Sequence, residues 1–186
     1  LPEKLNRART LAMAAAILLI RGGERVGLTG AQLPPRRGEA QLIRMAQLLS
    51  QDGTQDFGAP ETQGMLPHGR AVFVSDFLGD IDAVEASLLS AADKGVRGAL
   101  LQVIDPQEET FPFDGRTIFE SMGGSITHET LKAGDLRARY LDRMAERKDR
   151  LQHLARTTGW QFMTHHTDAP AAAALLWLYN ALERHS

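Results

Sequence analysis

Ser75 and Asp76 end the apolar run Ala71-Val72-Phe73-Val74, setting a hydroxyl beside a carboxylate where a buried strand would emerge. Mg²⁺ or Mn²⁺ takes near-octahedral oxygen coordination from several fixed oxygens plus water, so this one carboxylate and its neighbouring hydroxyl cannot by themselves hold such an ion tightly. Two more carboxylates fall at equivalent places, Asp105 after the run at 96–104 and Asp168 after the run at 160–165. Open α/β sheets bind ligands in the crevice beyond the carboxyl ends of their strands, so Asp76, Asp105 and Asp168 are the groups from which a metal-dependent hydrolase would be built. Such an enzyme needs a positioned nucleophile as well, and nothing in this pattern supplies one. His165-His166 does not act as a metal pair, because neighbours on a strand point to opposite faces. The chain has no cysteine, which removes thiolate ligands and thiol nucleophiles and accords with a cytoplasmic setting. Phosphate-cradling glycine loops and the Gly-x-Ser-x-Gly elbow are missing too, and Met122-Gly123-Gly124-Ser125 reads as a hairpin turn.

The elements that position these residues follow from hydrophobic period and from helix stops. Residues 70–76 and 96–104 are nearly continuous apolar runs bounded by Gly, Asp and Pro, the pattern of parallel strands buried on both faces. Between them Ile81, Val84, Leu88 and Ala92 repeat at helical spacing up to Gly95, with Asp80 or Asp82 as cap; Asp82 and Glu85 have capping-box spacing. Strand, helix, strand predicts a right-handed crossover. Upstream, a helix is expected over residues 2–21, with Leu5, Ala8, Ala12, Ala15, Ala16 and Leu19 as its apolar stripe and Gly22-Gly23 as its stop. A short strand over 24–29, a loop at 34–38 and a helix over 39–50 with Leu42, Ile43, Met45, Ala46 and Leu49 inward come next. Residues 51–69 read as a long surface loop. Downstream, residues 116–121 and 125–129 form a hairpin, 131–157 a charged helix with Asp135–Arg139 and Glu146–Arg150 pairs, 160–165 a strand, and Asp168 caps a last helix. Phe111-Pro112-Phe113 is read as a buried loop plug.

Composition narrows the class. Lys plus Arg number 21 against 23 Asp plus Glu in 186 residues, a formal net charge of −2, which is no electrostatic footprint for nucleic acid. Lys4, Arg7 and Arg9 ahead of the apolar run at 11–20 superficially imitate a signal peptide, but the run is too short to cross a bilayer. A single domain with a sizeable core is the expectation for this length.

Several landmarks stand in order: Gly23-Glu24-Arg25-Val26-Gly27-Leu28, Pro34-Pro35-Arg36-Arg37-Gly38, Ser75-Asp76-Phe77-Leu78, Gln102-Val103-Ile104-Asp105-Pro106 with Glu108, Phe111-Pro112-Phe113, Tyr140, and Thr167-Asp168. Together they resemble the bacterial family catalogued as the fifty-eighth domain of unknown function, whose core is similar to a von Willebrand factor A domain. The resemblance spans the whole chain. It implies a three-layer α/β fold, a mostly parallel twisted sheet with helices on both faces and a small antiparallel hairpin at one edge, residues 1–186 making one domain. It also implies a metal-ion-dependent adhesion site of three loops, in which Asp76 is the third element and Thr54 falls at the second. The first element, an Asp-x-Ser-x-Ser on the first central strand, would precede Leu1, so the domain reads as N-terminally incomplete. On this reading the chain carries no cofactor by itself, and Mg²⁺ belongs to an intact protein. The implied role is non-enzymatic: Ser75, Asp76 and Asp105 meet a protein partner, a MoxR-type AAA+ ATPase, in protein remodelling or maturation. Strand edges left without the central strand predict self-association or strand exchange.

Overall fold

A computed structural model describes residues 2–31, 33–51, 60–110, 117–120, 127–130 and 133–183. Thr54, Phe111-Pro112-Phe113 and Met122-Gly123-Gly124-Ser125 lie outside the described residues. Helix α1 (Pro2–Arg21) leads into strands β1 (Val26–Leu28) and β2 (Leu33–Arg36), then helix α2 (Glu39–Ser50). Strand β3 (Arg70–Ser75), helix α3 (Ile81–Asp93) and strand β4 (Arg97–Ile104) follow. A short helix α4 (Pro106–Thr110), strands β5 (Thr117–Glu120) and β6 (Thr127–Thr130), helix α5 (Ala133–Thr158), strand β7 (Gln161–His166) and helix α6 (Ala171–Glu183) complete the chain.

Strands β3, β4 and β7 form a parallel sheet in that order, and each of its two joins runs through at least one helix, as parallel neighbours require. Helices cover both faces. On one, Phe73, Leu100 and Trp160 pack with Val84, Leu88 and Ala91 of α3 and Leu151, Leu154 and Ala155 of α5. On the other, Ala99, Leu101 and Val103 meet Leu11 of α1 and Ala174, Leu178 and Ala181 of α6. Alternation along β4 therefore feeds two cores at once, which is why its residues from Gly98 to Ile104 are all buried. The architecture is α/β, with the sheet between two helical layers.

Local chemistry sets the element ends. Helix α3 starts on Asp80, whose side chain accepts the N–H groups of Asp82 and Ala83, and it closes on Gly95 at φ 70°, with Gly95 N–H donating to Ala92 O and Val96 N–H to Ala91 O. That pair of bonds is the left-handed helix stop for which glycine pays no side-chain clash. Gly98 answers a different need: a Cβ there would lie 1.7 Å from the Ala71 carbonyl oxygen on β3.

Several expectations are corrected. Residues 33–36 are a strand, not part of a loop, pairing antiparallel with β1 in a sheet separate from β3-β4-β7. Among the described residues β2 pairs on one side only, which limits what the donors missing at Pro34 and Pro35 cost. Gln41, not Ile43, turns inward from α2: its Nε2 donates to Val26 O at 2.8 Å and Pro34 O at 3.0 Å, while Ile43 is 54% exposed. Asp82 and Glu85 form no capping box, and Arg150 does not pair with Glu146; instead Arg150 of α5 grips Asp82 and Glu85 of α3. Asp168 is not the cap of α6, which starts three residues later at Ala171. Among the described residues, β3 has no neighbour on its far side, and no helix is long and apolar enough to cross a membrane.

Candidate functional site

Ser75, Gln102 and Thr164 are register partners across β3, β4 and β7, so their side chains lie in one row near the carboxyl end of the sheet. Thr164 Oγ1 donates to Gln102 Oε1 at 3.0 Å, and Gln102 Nε2 donates to the Asp76 carbonyl oxygen at 3.0 Å. Just beyond β3 the backbone bends through Phe77 at φ 54°, a left-handed conformation that costs a bulky residue about 1–3 kcal/mol. Three devices hold it there. The Phe77 ring is buried in the core between sheet, α3 and α5; Ser75 Oγ accepts the Phe77 N–H at 3.0 Å and Asp76 Oδ1 the Leu78 N–H at 3.1 Å. From α5, Arg147 Nη1 donates to Phe77 O at 2.7 Å and to Gly79 O.

The other oxygen of Asp76 faces a buried cation. Lys4 of α1, its side chain 8% exposed, places Nζ 3.0 Å from Asp76 Oδ2 and 2.6 Å from Glu108 Oε1. Burial works to lower the Lys4 pKa, but the hydrogen bonds and charges of Glu108 and Asp76 outweigh it and hold the ammonium above its usual value. Glu108 Oε2 accepts the Asp105 N–H at 3.1 Å, and Asp105 Oδ1 accepts the Gln107 N–H at 2.9 Å. Asp105 and Glu108 thus form a capping box on α4, with Pro106 at its first helical position. Nearby Tyr140 of α5 is pushed up in pKa, first by burial and then by the Glu108 charge.

At the end of β7 the adjacent histidines do diverge. His165 is buried beside α1, its Nε2 3.3 Å from Arg7 Nη1, while Arg7 also donates to Ala169 O at 2.8 Å and Thr167 O at 2.7 Å. His166 Nε2 meets Glu109 Oε2 at 2.7 Å on the other face, with Lys148 Nζ 3.7 Å from Glu109 Oε1.

The structure therefore brings Ser75, Asp76 and Asp105 to one end of the sheet, linked through Gln102, Lys4 and Glu108. No hydrogen bond or ion pair among the described residues joins Asp168 to Asp76 or Asp105, and Asp168 is exposed in the turn after β7. Sequence reasoning passed over Lys4, Arg7 and Arg147. The signal for Lys4 was available: Lys4, Ala8 and Leu11 share one helix face, and Ala8 and Leu11 pack against the sheet, so a charge in phase with them must find a partner inside.

The Mg²⁺ that the resemblance implies can be tested against these residues. A divalent ion of this type needs about six oxygens in near-octahedral array. Asp76 Oδ1 is committed to the Leu78 amide and Oδ2 to an ammonium, and Glu108 divides its oxygens between the same ammonium and the Asp105 amide. An ammonium and a divalent ion 4 Å apart repel by about 8 kcal/mol at an effective dielectric constant of 20. Among the described residues no group of three or more His, Cys, Asp or Glu side chains is arranged to hold a metal. The described residues do not fit the ion. What they make is an acid-rich tip tied to backbone amides and carrying its own counter-ion.

The family described as "Protein of unknown function DUF58" matches residues 2–150. No curated protein and no solved structure matches the chain.

Proposed function

The chain belongs to the DUF58 family, and on that footing we propose that it is a non-enzymatic protein-interaction domain whose working face is the carboxyl end of β3, β4 and β7. The observation that carries this reading is the way the tip uses its polar groups. Asp76, Asp105 and Glu108 are engaged by Lys4 and by backbone amides, so they hold loops in shape instead of standing ready to move protons or ligate substrate. A fixed surface that needs little reordering on binding loses little entropy on association, which suits recognition. The resemblance supplies the partner: a MoxR-type AAA+ ATPase, in a complex that remodels or matures other proteins. Ser75, Asp76 and Asp105 form the contact surface in this reading, and no step passes through a metal.

Binding to a purified MoxR-type ATPase from the same organism tests the proposal, measured by calorimetry with Mg²⁺ and with EDTA. Saturable binding is expected in both conditions, weakened at least about tenfold by Asp105→Arg, since a reversed charge at an interface opposes its partner. No binding in either condition would overturn the partner assignment.

A further inference from the structure

The ion pair at Lys4 departs from what the family resemblance calls for. An adhesion-type site needs its strand-end aspartate open toward a divalent cation, yet here a lysine from the first turns of α1 reaches across 72 positions in sequence to meet that aspartate. The same ammonium bonds Glu108, 104 positions away, so one charge ties α1 to the end of β3 and to α4. Its side chain is 8% exposed, whereas Asp76 and Glu108 are 34% and 23% exposed. The cation is the innermost member of the group, with the carboxylates between it and solvent. A surface lysine that drifts onto an acidic residue has the reverse arrangement. Ala8 and Leu11 behind it are packed against the sheet core, which fixes the helix turn that presents it.

We infer that Lys4 is the resident cation of this tip: its ammonium holds the place that the resemblance gives to Mg²⁺, and it closes Asp76 to divalent ions. The tip then keeps its shape without metal. An ammonium also differs from Mg²⁺ in what it offers outward, because it has no open coordination position with which to bridge a partner's carboxylate. Recognition at this end therefore rests on the exposed carboxylate edges, and a partner complements it with basic or hydrogen-donating groups. The closure of Asp76 to divalent ions concerns the tip alone and stands whether or not an ATPase binds it, whereas the complementarity to a partner rests on the interaction role proposed above.

Mn²⁺ alone is the probe, followed by paramagnetic resonance and calorimetry, with circular dichroism as the check on folding. The wild-type chain is expected to show no Mn²⁺ site tighter than about 1 mM, the weak end of ordinary protein sites for hard divalent ions. Lys4→Met leaves two carboxylates facing each other without their cation. It is expected to gain a Mn²⁺ site at least about tenfold tighter than wild type, with a melting temperature that rises on adding Mn²⁺. Adding Asp76→Asn to Lys4→Met abolishes that gain, and Lys4→Arg, which keeps the charge, stays silent to Mn²⁺. A wild-type Mn²⁺ site that disappears with Asp76→Asn would overturn the inference, as would a folded Lys4→Met that gains none. If Lys4→Met does not fold alone, recovery of its structure by Mn²⁺ supports the inference and failure to recover counts against it.

Discussion

His165 is the buried titratable side chain of the tip whose charge changes near neutral pH. Burial first, then the positive charge of Arg7, presses its pKa below the ordinary 6.5, so the folded chain holds it neutral. Between the folded value and 6.5 the unfolded chain binds more protons than the native one, and stability must rise with pH across that window. The contribution is complete above about 6.5 and is lost as pH falls through the folded value. Lys4 has the opposite sign: its raised pKa supports the fold below the ordinary 10.5, and that support is lost only as pH climbs beyond it, so the two effects do not overlap. Urea unfolding at about pH 5 and about pH 7.5 should show a smaller pH dependence in His165→Gln than in wild type. Equal slopes for the two proteins would count against a neutral His165. The position of Asp76 was legible because an apolar run stops there. Its partner was not, since nothing local to Lys4 says which distant strand end it will meet.

Between elements, β3 and β4 approach so closely at Gly98 that an added methyl would collide with the Ala71 carbonyl. Gly98→Ala must push the strands apart or twist β4, the strand that contributes to both cores. A loss of at least about 3 kcal/mol is expected, at the upper end of overpacking costs, and denaturant midpoints with an unchanged slope would measure it. A near-neutral variant would mean that the strands slide freely. Strands β3, β4 and β7 and the long helices announced themselves, because continuous apolar runs and a 3.6-residue period are strong local signals. The misreadings have particular causes. Pro34-Pro35 imitates a loop because proline cannot donate to a ladder, yet β2 pairs through the donors and acceptors that remain. Helix α4 was hidden behind Asp105-Pro106, although Asp, Pro and then Glu at the third helical position is the signature of a helix start. Asp82 and Glu85 have that same spacing, but Arg150 on a distant helix claims them, a competition no local rule can weigh.

Taken whole, the molecule keeps its parallel sheet sealed on both faces by helices, but among the described residues one edge of β3 pairs with no strand. Unpaired donors and acceptors along a strand with four apolar residues in a row are a template for another strand. Sedimentation velocity over a hundredfold range of concentration is expected to show the chain shifting from monomer to larger species; a single monomer throughout would mean that this edge is inert. Phe77 gives the carboxyl end of the sheet a contrasting character. The residue is at once the bend that follows Ser75 and Asp76 and a wedge sunk into the interior beside α3 and α5. Reshaping the surface there would mean uprooting an aromatic ring, so a visitor must accept the contour it finds. By the same linkage, a flaw deep in the layer beneath would be transmitted outward and blur the very feature the chain displays.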